Sequence, residues 1–185
     1  MVAAGFGDAA LAAHQIATTV VLFLAFALDA FAIAAQTLTG HALGAGDAAG
    51  ARAVTSRVIG WGLGFGVASG VLLAVASTGV ARLFSPDPQV QAAAVPALIL
   101  VAAITPVSGV VFVLDGVLIG AGDGPYLAWA GLVALAVYAP LAGLVAVTDA
   151  GFTWLWAAYA AFQLARLGTL WWRQRGDAWL VLGAR

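Results

Sequence analysis

Residues 12–47, AAHQIATTVVLFLAFALDAFAIAAQTLTGHALGAGD, decide how the rest of the chain is read. The run is too long and too apolar for a helix in water, yet Asp29 stands near its middle. At helical spacing from Asp29, the residues His14, Thr18, Ala25, Ala32 and Gln36 fall on one face, and the opposite face is Val, Leu, Phe and Ile. In a bilayer this is a spanning helix with a narrow polar stripe. An ionisable side chain at that depth is expensive, so Asp29 marks a candidate functional site.

Composition places the whole chain in the same environment. Of 185 residues, 64% are hydrophobic and 8% charged, with a mean hydropathy of +1.06. A soluble domain carries about 25% charged residues. The chain is therefore an integral membrane protein. A net charge of −1 excludes a broad basic surface and with it nucleic acid as a partner. Without cysteine there is no disulfide, thiolate nucleophile or thiolate metal site. The start, MVAAGFGDAA, has no basic n-region and is not expected to be a cleaved signal.

Apolar segments at about 8–43, 51–84, 89–119, 125–147 and 152–172 are separated by short Gly, Pro, Asp and Arg punctuation. Each exceeds the roughly 20 residues a bilayer requires, and none alternates as a barrel strand would. The expected fold class is an all-α integral membrane protein with five transmembrane helices. Arg52 and Arg57 follow the first segment, Arg166, Arg173 and Arg175 close the last, and Arg82 flanks the opposite side. The positive-inside rule then makes the C-terminus cytoplasmic and the N-terminus external. Trp154, Trp156 and Tyr159 are expected in the outer interfacial belt, and Trp171 and Trp172 in the inner one. An odd helix count with an external start implies a segment missing upstream. Pro96, Pro106 and Pro140 predict kinks, static or state-dependent. The small-residue spacing Gly62, Gly66, Gly70 predicts close helix packing.

Asp115, in SGVVFVLDGVLIGAGD, shares a face with Ser108 and joins Asp29 as a candidate to exchange a proton or hold a small cation. The competing reading for both acids is a structural hydrogen bond. His14 and Gln15, near the outer end of the first helix, are candidates for the cavity wall or for bridging helices, and Gln36 for substrate contact or helix glue. No second His is close enough in sequence to suggest a metal site. The two GAGD tetrapeptides, 44–47 and 120–123, are turns with glycine C-caps, since a phosphate cradle would need a strand before and a Lys after.

The first stretch, followed by AR and a long helix, resembles the C-terminal lobe of the multidrug and toxic compound extrusion (MATE) transporters, most of all their DinF-like bacterial branch. RLFSPDPQV resembles the family's turn after the next helix, and FVLDGVLIGAGDGPYL its helix-ten signature. The Trp-rich last helix ending in Arg also fits, so the resemblance runs from Ala9 to about Trp172. It implies a twelve-helix, two-lobe fold that exchanges H⁺ or Na⁺ for cationic or amphipathic xenobiotics, with no cofactor and no enzymatic activity. On that alignment GFGDAAL ends helix seven and helices eight to twelve follow, with residues 1–175 as the lobe and 176–185 as a cytoplasmic tail. Asp115 stands where some branches bind a cation, while the proton-linked acid of the DinF-like branch lies on helix one, absent here. The resemblance implies a bacterial inner (plasma) membrane location, lipid and substrate as partners, and need of an N-terminal lobe.

Two other readings compete. GxGD with Pro96-Ala97-Leu98 superficially resembles an intramembrane aspartyl protease, but no Tyr-Asp supplies the second carboxylate. A free-standing membrane assembly module would fold and oligomerise without transporting anything.

Overall fold

A computed structural model of the chain describes residues 7–148 and 151–183. The chain start with Gly5 and Phe6 lies outside those residues, as does the end of the tail; Asp8–Leu11 of GFGDAAL open α1 instead of ending a preceding helix as expected. The described residues form α1 (Asp8–Gly44), α2 (Ala48–Phe84), α3 (Pro88–Gly120), α4 (Gly124–Val147) and α5 (Thr153–Arg175), with no strand among them. The fold is all-α. α1 to α4 are each long and apolar enough to cross a membrane. The 37 residues of α1 and of α2 span about 55 Å, well beyond the hydrocarbon core. α5 is long enough at 23 residues, but Gln163, Arg166 and Thr169 make it too polar to join that group.

The punctuation works as local chemistry. At both GAGD turns the glycine takes positive φ, 77° at Gly46 and 74° at Gly122. The following Asp N–H donates five residues back, Asp47 to the Ala42 carbonyl and Asp123 to that of Leu118, both at 2.9 Å. Gly46 and Gly122 donate to Leu43 and Ile119, completing the same Schellman arrangement twice. Asp47 then caps α2 by accepting from the Gly50 N–H at 2.7 Å, which starts that helix at Ala48, earlier than the apolar pattern alone suggests. Asp87 caps α3 from Gln89 at 2.8 Å, with Pro88 opening the helix.

α3 is the spine. It touches all four other helices, most extensively α1 and α2 and then α5, while α4 packs mainly on α5 and barely reaches α3. Its side chains are buried around most of the circumference, as expected of a helix apolar all round. The α2–α3 crossing is the glycine stripe: Gly62, Gly66 and Gly70 are buried against the α3 backbone. A Cβ at Gly66 would lie 2.8 Å from Pro106 Cα and from the Thr105 carbonyl, so small residues set the helix separation here. Gly116 and Gly120 do the same for α3 against the α1 backbone at Ala32 and Gln36. Serine and threonine hydroxyls mostly bond within their own helix, as Thr19 to Gln15, Thr37 to Ile33 and Thr105 to Val101 do, which satisfies them without water.

Two apolar clusters lie along the spine. One gathers at the Gly7 end around Leu98 and Val101, and the other at the GAGD end around Val113, Val117 and Trp179. On α3 they are separated between Ala102 and Val110, where Thr105 and Ser108 sit. That break is where the site begins.

Candidate functional site

The polar residues of α5 recur at spacings of three and four: Trp156, Tyr159, Gln163, Arg166 and, after Leu170, Arg173. That period puts them on one stripe, and the stripe turns inward to α3 and α1. Gln163, buried, donates from Nε2 to Ser108 Oγ at 2.6 Å. One turn further, Arg166 donates to Asp115 Oδ1 at 2.7 Å, with the two side chains 20% and 22% exposed. At the GAGD end Arg173 holds Asp123 through two hydrogen bonds, 2.7 and 3.2 Å, and its guanidinium stacks over the Tyr126 ring at 4.7 Å. Tyr126 in turn donates to the Thr169 carbonyl at 2.6 Å. Ser108 and Asp115, two turns apart on α3, therefore meet α5 in sequence, neutral pair first and ion pair second.

The α1 stripe faces the other wall. His14 and Thr18 line a cavity of about 190 Å³ with Tyr138, Trp156 and Tyr159. Ala25 lines a smaller one of about 40 Å³ with Leu28, Thr105, Ser108, Phe112 and Tyr159. Tyr159 and Val21 border both cavities, so the two adjoin in a crevice between α1 and α5, floored by α3. The His14 ring lies 5.5 Å from Trp156 and 6.2 Å from Phe152, and its Nδ1 has no partner among the described residues; nor has Trp156 Nε1.

The expected residues separate into two groups. His14 is on the crevice wall and Asp115 in the α3–α5 ion pair. Asp29, Gln36 and Gln15 are exposed on the open side of α1, beside Phe26 and Ile33. Gln36 also meets Gly120 of α3, through its backbone. Asp29 forms no ion pair with a described residue, so the two mid-span acids occupy different environments.

Two features differ from expectation. Arg166 does not close α5 at the water surface but sits within the helix body as the partner of Asp115. Trp156 is buried and Tyr159 half-buried in the crevice wall rather than in a lipid-facing belt, because they lie on the inward stripe; Trp154 and Trp172 do face outward. Among the described residues no cluster of His, Asp or Glu is suited to a metal ion.

A bundle of membrane-length helices around a central spine, with a polar seam along α5, defines a helical module of the membrane-embedded class. The chain belongs to the MatE family, whose sequence model matches residues 1–144. It is similar to three Arabidopsis thaliana proteins. Protein DETOXIFICATION 45, chloroplastic, is 32% identical over 189 residues, covering 97% of this chain and 32% of that protein. Protein DETOXIFICATION 44, chloroplastic, is 31% identical over 182 residues, 97% of this chain and 35% of that one. Protein DETOXIFICATION 42 is 33% identical over 171 residues, 92% and 33%. The chain thus spans about a third of the length of the curated relatives it matches.

Proposed function

We propose that this chain is the C-terminal lobe of an efflux antiporter that exchanges H⁺ or Na⁺ for cationic or amphipathic xenobiotics, working beside an N-terminal lobe. The observation that carries the reading is the exposure of Asp29 near the midpoint of the 37-residue apolar helix α1. A carboxylate at that depth is too costly to leave against acyl chains, so its face belongs to an aqueous cavity or to another protein surface. Gln36 lies two turns along on the same open side, and His14, Thr18 and Ala25 continue the stripe into the crevice. A cavity shared between two lobes supplies such a surface.

Asp29 and Gln36 are the proposed lining of that cavity, with Asp115 as half of an ion pair in its wall and His14 and Gln15 towards the Gly7 end. The coupling ion is cargo, and the reading requires no cofactor and no chemistry on the substrate. Arg52, Arg57, Arg173 and Arg175 gather at the end that carries both GAGD turns, while Arg82 stands alone at the other among the described residues. That asymmetry supports a cytoplasmic placement for the GAGD turns and the C-terminal segment. The membrane we infer is the bacterial inner (plasma) membrane.

The test starts from the gene. The reading frame through Met1 is followed upstream, and the continuous frame is expressed in cells stripped of their own exporters. Efflux of a fluorescent planar cation such as ethidium should accelerate and should stop when the H⁺ or Na⁺ gradient is collapsed. Efflux no faster than in cells with an empty vector, whichever gradient is imposed, contradicts the reading.

A further inference from the structure

The α1–α2 pair and the α4–α5 pair are joined mainly through the spine. α4 packs on α5 and lightly on α3, without extended contact to α1 or α2. At the Gly7 end the seam between the two pairs is bridged by His14 against Phe152 and Trp156. At the GAGD end a different device bridges it, built from the end of α5 and the residues that follow.

Arg173 grips Asp123 in the second GAGD turn, bidentate at 2.7 and 3.2 Å. Beyond the helix, Asp177 pairs with Arg52 in the first turns of α2. The Gly183 N–H then donates to the Leu43 carbonyl, at the first GAGD turn, at 3.2 Å. Between these anchors Trp179 is 0% exposed, the largest fully buried side chain of the described residues. Its Nε1–H donates to the Gln174 carbonyl at 3.0 Å, and its ring joins the apolar cluster of Leu43, Ala51, Leu118 and Leu170. The Leu180 and Val181 N–H groups donate to Asp177 and Trp179, which folds the segment tightly onto the bundle. A segment that merely trailed into water would bury no tryptophan.

We propose that residues 173–183 are a clasp that ties the two GAGD turns together and sets the separation of the α1–α2 pair from the α4–α5 pair at this end. With the clasp seated, the α1/α5 seam is closed towards the GAGD side; with it lifted, the seam opens there. The parts have different roles. The Arg52–Asp177 pair is exposed, with Asp177 at 85%, and such pairs fix register more than they stabilise. The Trp179 ring supplies the apolar hold. This inference concerns the lobe's own mechanics and does not rest on the transport reading.

The chain has no cysteine, so paired spin labels can be placed without background. One pair, Ser56→Cys on α2 and Ala128→Cys on α4, reports the GAGD end; a second, Gly79→Cys and Leu144→Cys, reports the other. All four positions are exposed. Distances are read by double electron–electron resonance on the full chain in lipid nanodiscs. Trp179→Ala should lengthen and broaden the first distance and leave the second unchanged. The double variant Asp177→Ala with Gly183→Pro removes the two anchors to α1 and α2, keeps Arg173 on Asp123 and leaves Trp179 in place, and should shift the first distance in the same direction; it decides alone if Trp179→Ala does not assemble. No change at the GAGD end, or equal spreading at both ends, overturns the clasp.

Discussion

Arg166 is the residue whose role differs most from its position in the sequence. Charge counting near helix ends puts it in the cytoplasmic cluster, but it lies inside the bundle and donates to Asp115 at 2.7 Å. Both side chains are only about one-fifth exposed, so removing one partner strands the other where water solvates it poorly. Arg166→Ala should therefore destabilise the protein by about 3 kcal/mol, measured by reversible unfolding in mixed micelles. The double replacement Asp115→Asn with Arg166→Gln should recover most of that loss; additive losses would show that the pair is not coupled. The face shared by Asp115 and Ser108 was legible, because seven residues make nearly two helical turns. The pairing with α5 was not, since it joins residues 51 positions apart. The available signal was the three-and-four spacing of Tyr159, Gln163 and Arg166, which is easily passed over among apolar runs.

At the scale of elements, long apolar runs and GAGD punctuation made the helices and their turns legible, because lipid leaves the backbone few alternatives to helix. The structure adds that one tetrapeptide serves two purposes. Asp47 caps α2, and Asp123 is held by Arg173 instead. The glycine stripe of α2 gives a sharp contrast at this scale. Gly66 has no room for a methyl group against Pro106 and Thr105, whereas Gly64, two residues away, has open space. Gly66→Ala should cost about 1–3 kcal/mol through displaced α3 backbone, and Gly64→Ala should be neutral or slightly stabilising by helix propensity. Thermal denaturation of the two variants, followed by size-exclusion chromatography in detergent, separates them. Equal behaviour would mean that the α2–α3 crossing is looser than described.

For the whole molecule, membrane residence followed from composition, but the packing order did not. Helices that are apolar all round carry little information about which neighbour each face meets, so the spine role of α3 and the outer place of α4 appear only in three dimensions. The burial of Trp179 was equally hidden, because it follows Arg173, Arg175 and Asp177 in a segment that reads as a solvated tail. Sidedness is testable at this scale. With the GAGD turns cytoplasmic, a membrane-impermeant maleimide added to intact cells should label Gln89→Cys and spare Ala45→Cys, both exposed turn-side positions; the reverse pattern would invert the proposed orientation. An open face of α1 that lines a transport cavity is probed most directly by gradient-driven efflux of Asp29→Asn and Asp115→Asn in the continuous reading frame. The account predicts that Asp29→Asn lowers efflux at least tenfold or alters its dependence on pH or Na⁺, an effect of about 1.4 kcal/mol or more on the rate-limiting barrier. Asp115→Asn should lower efflux together with stability, by releasing Arg166. Efflux and ion dependence unchanged in both variants would contradict it.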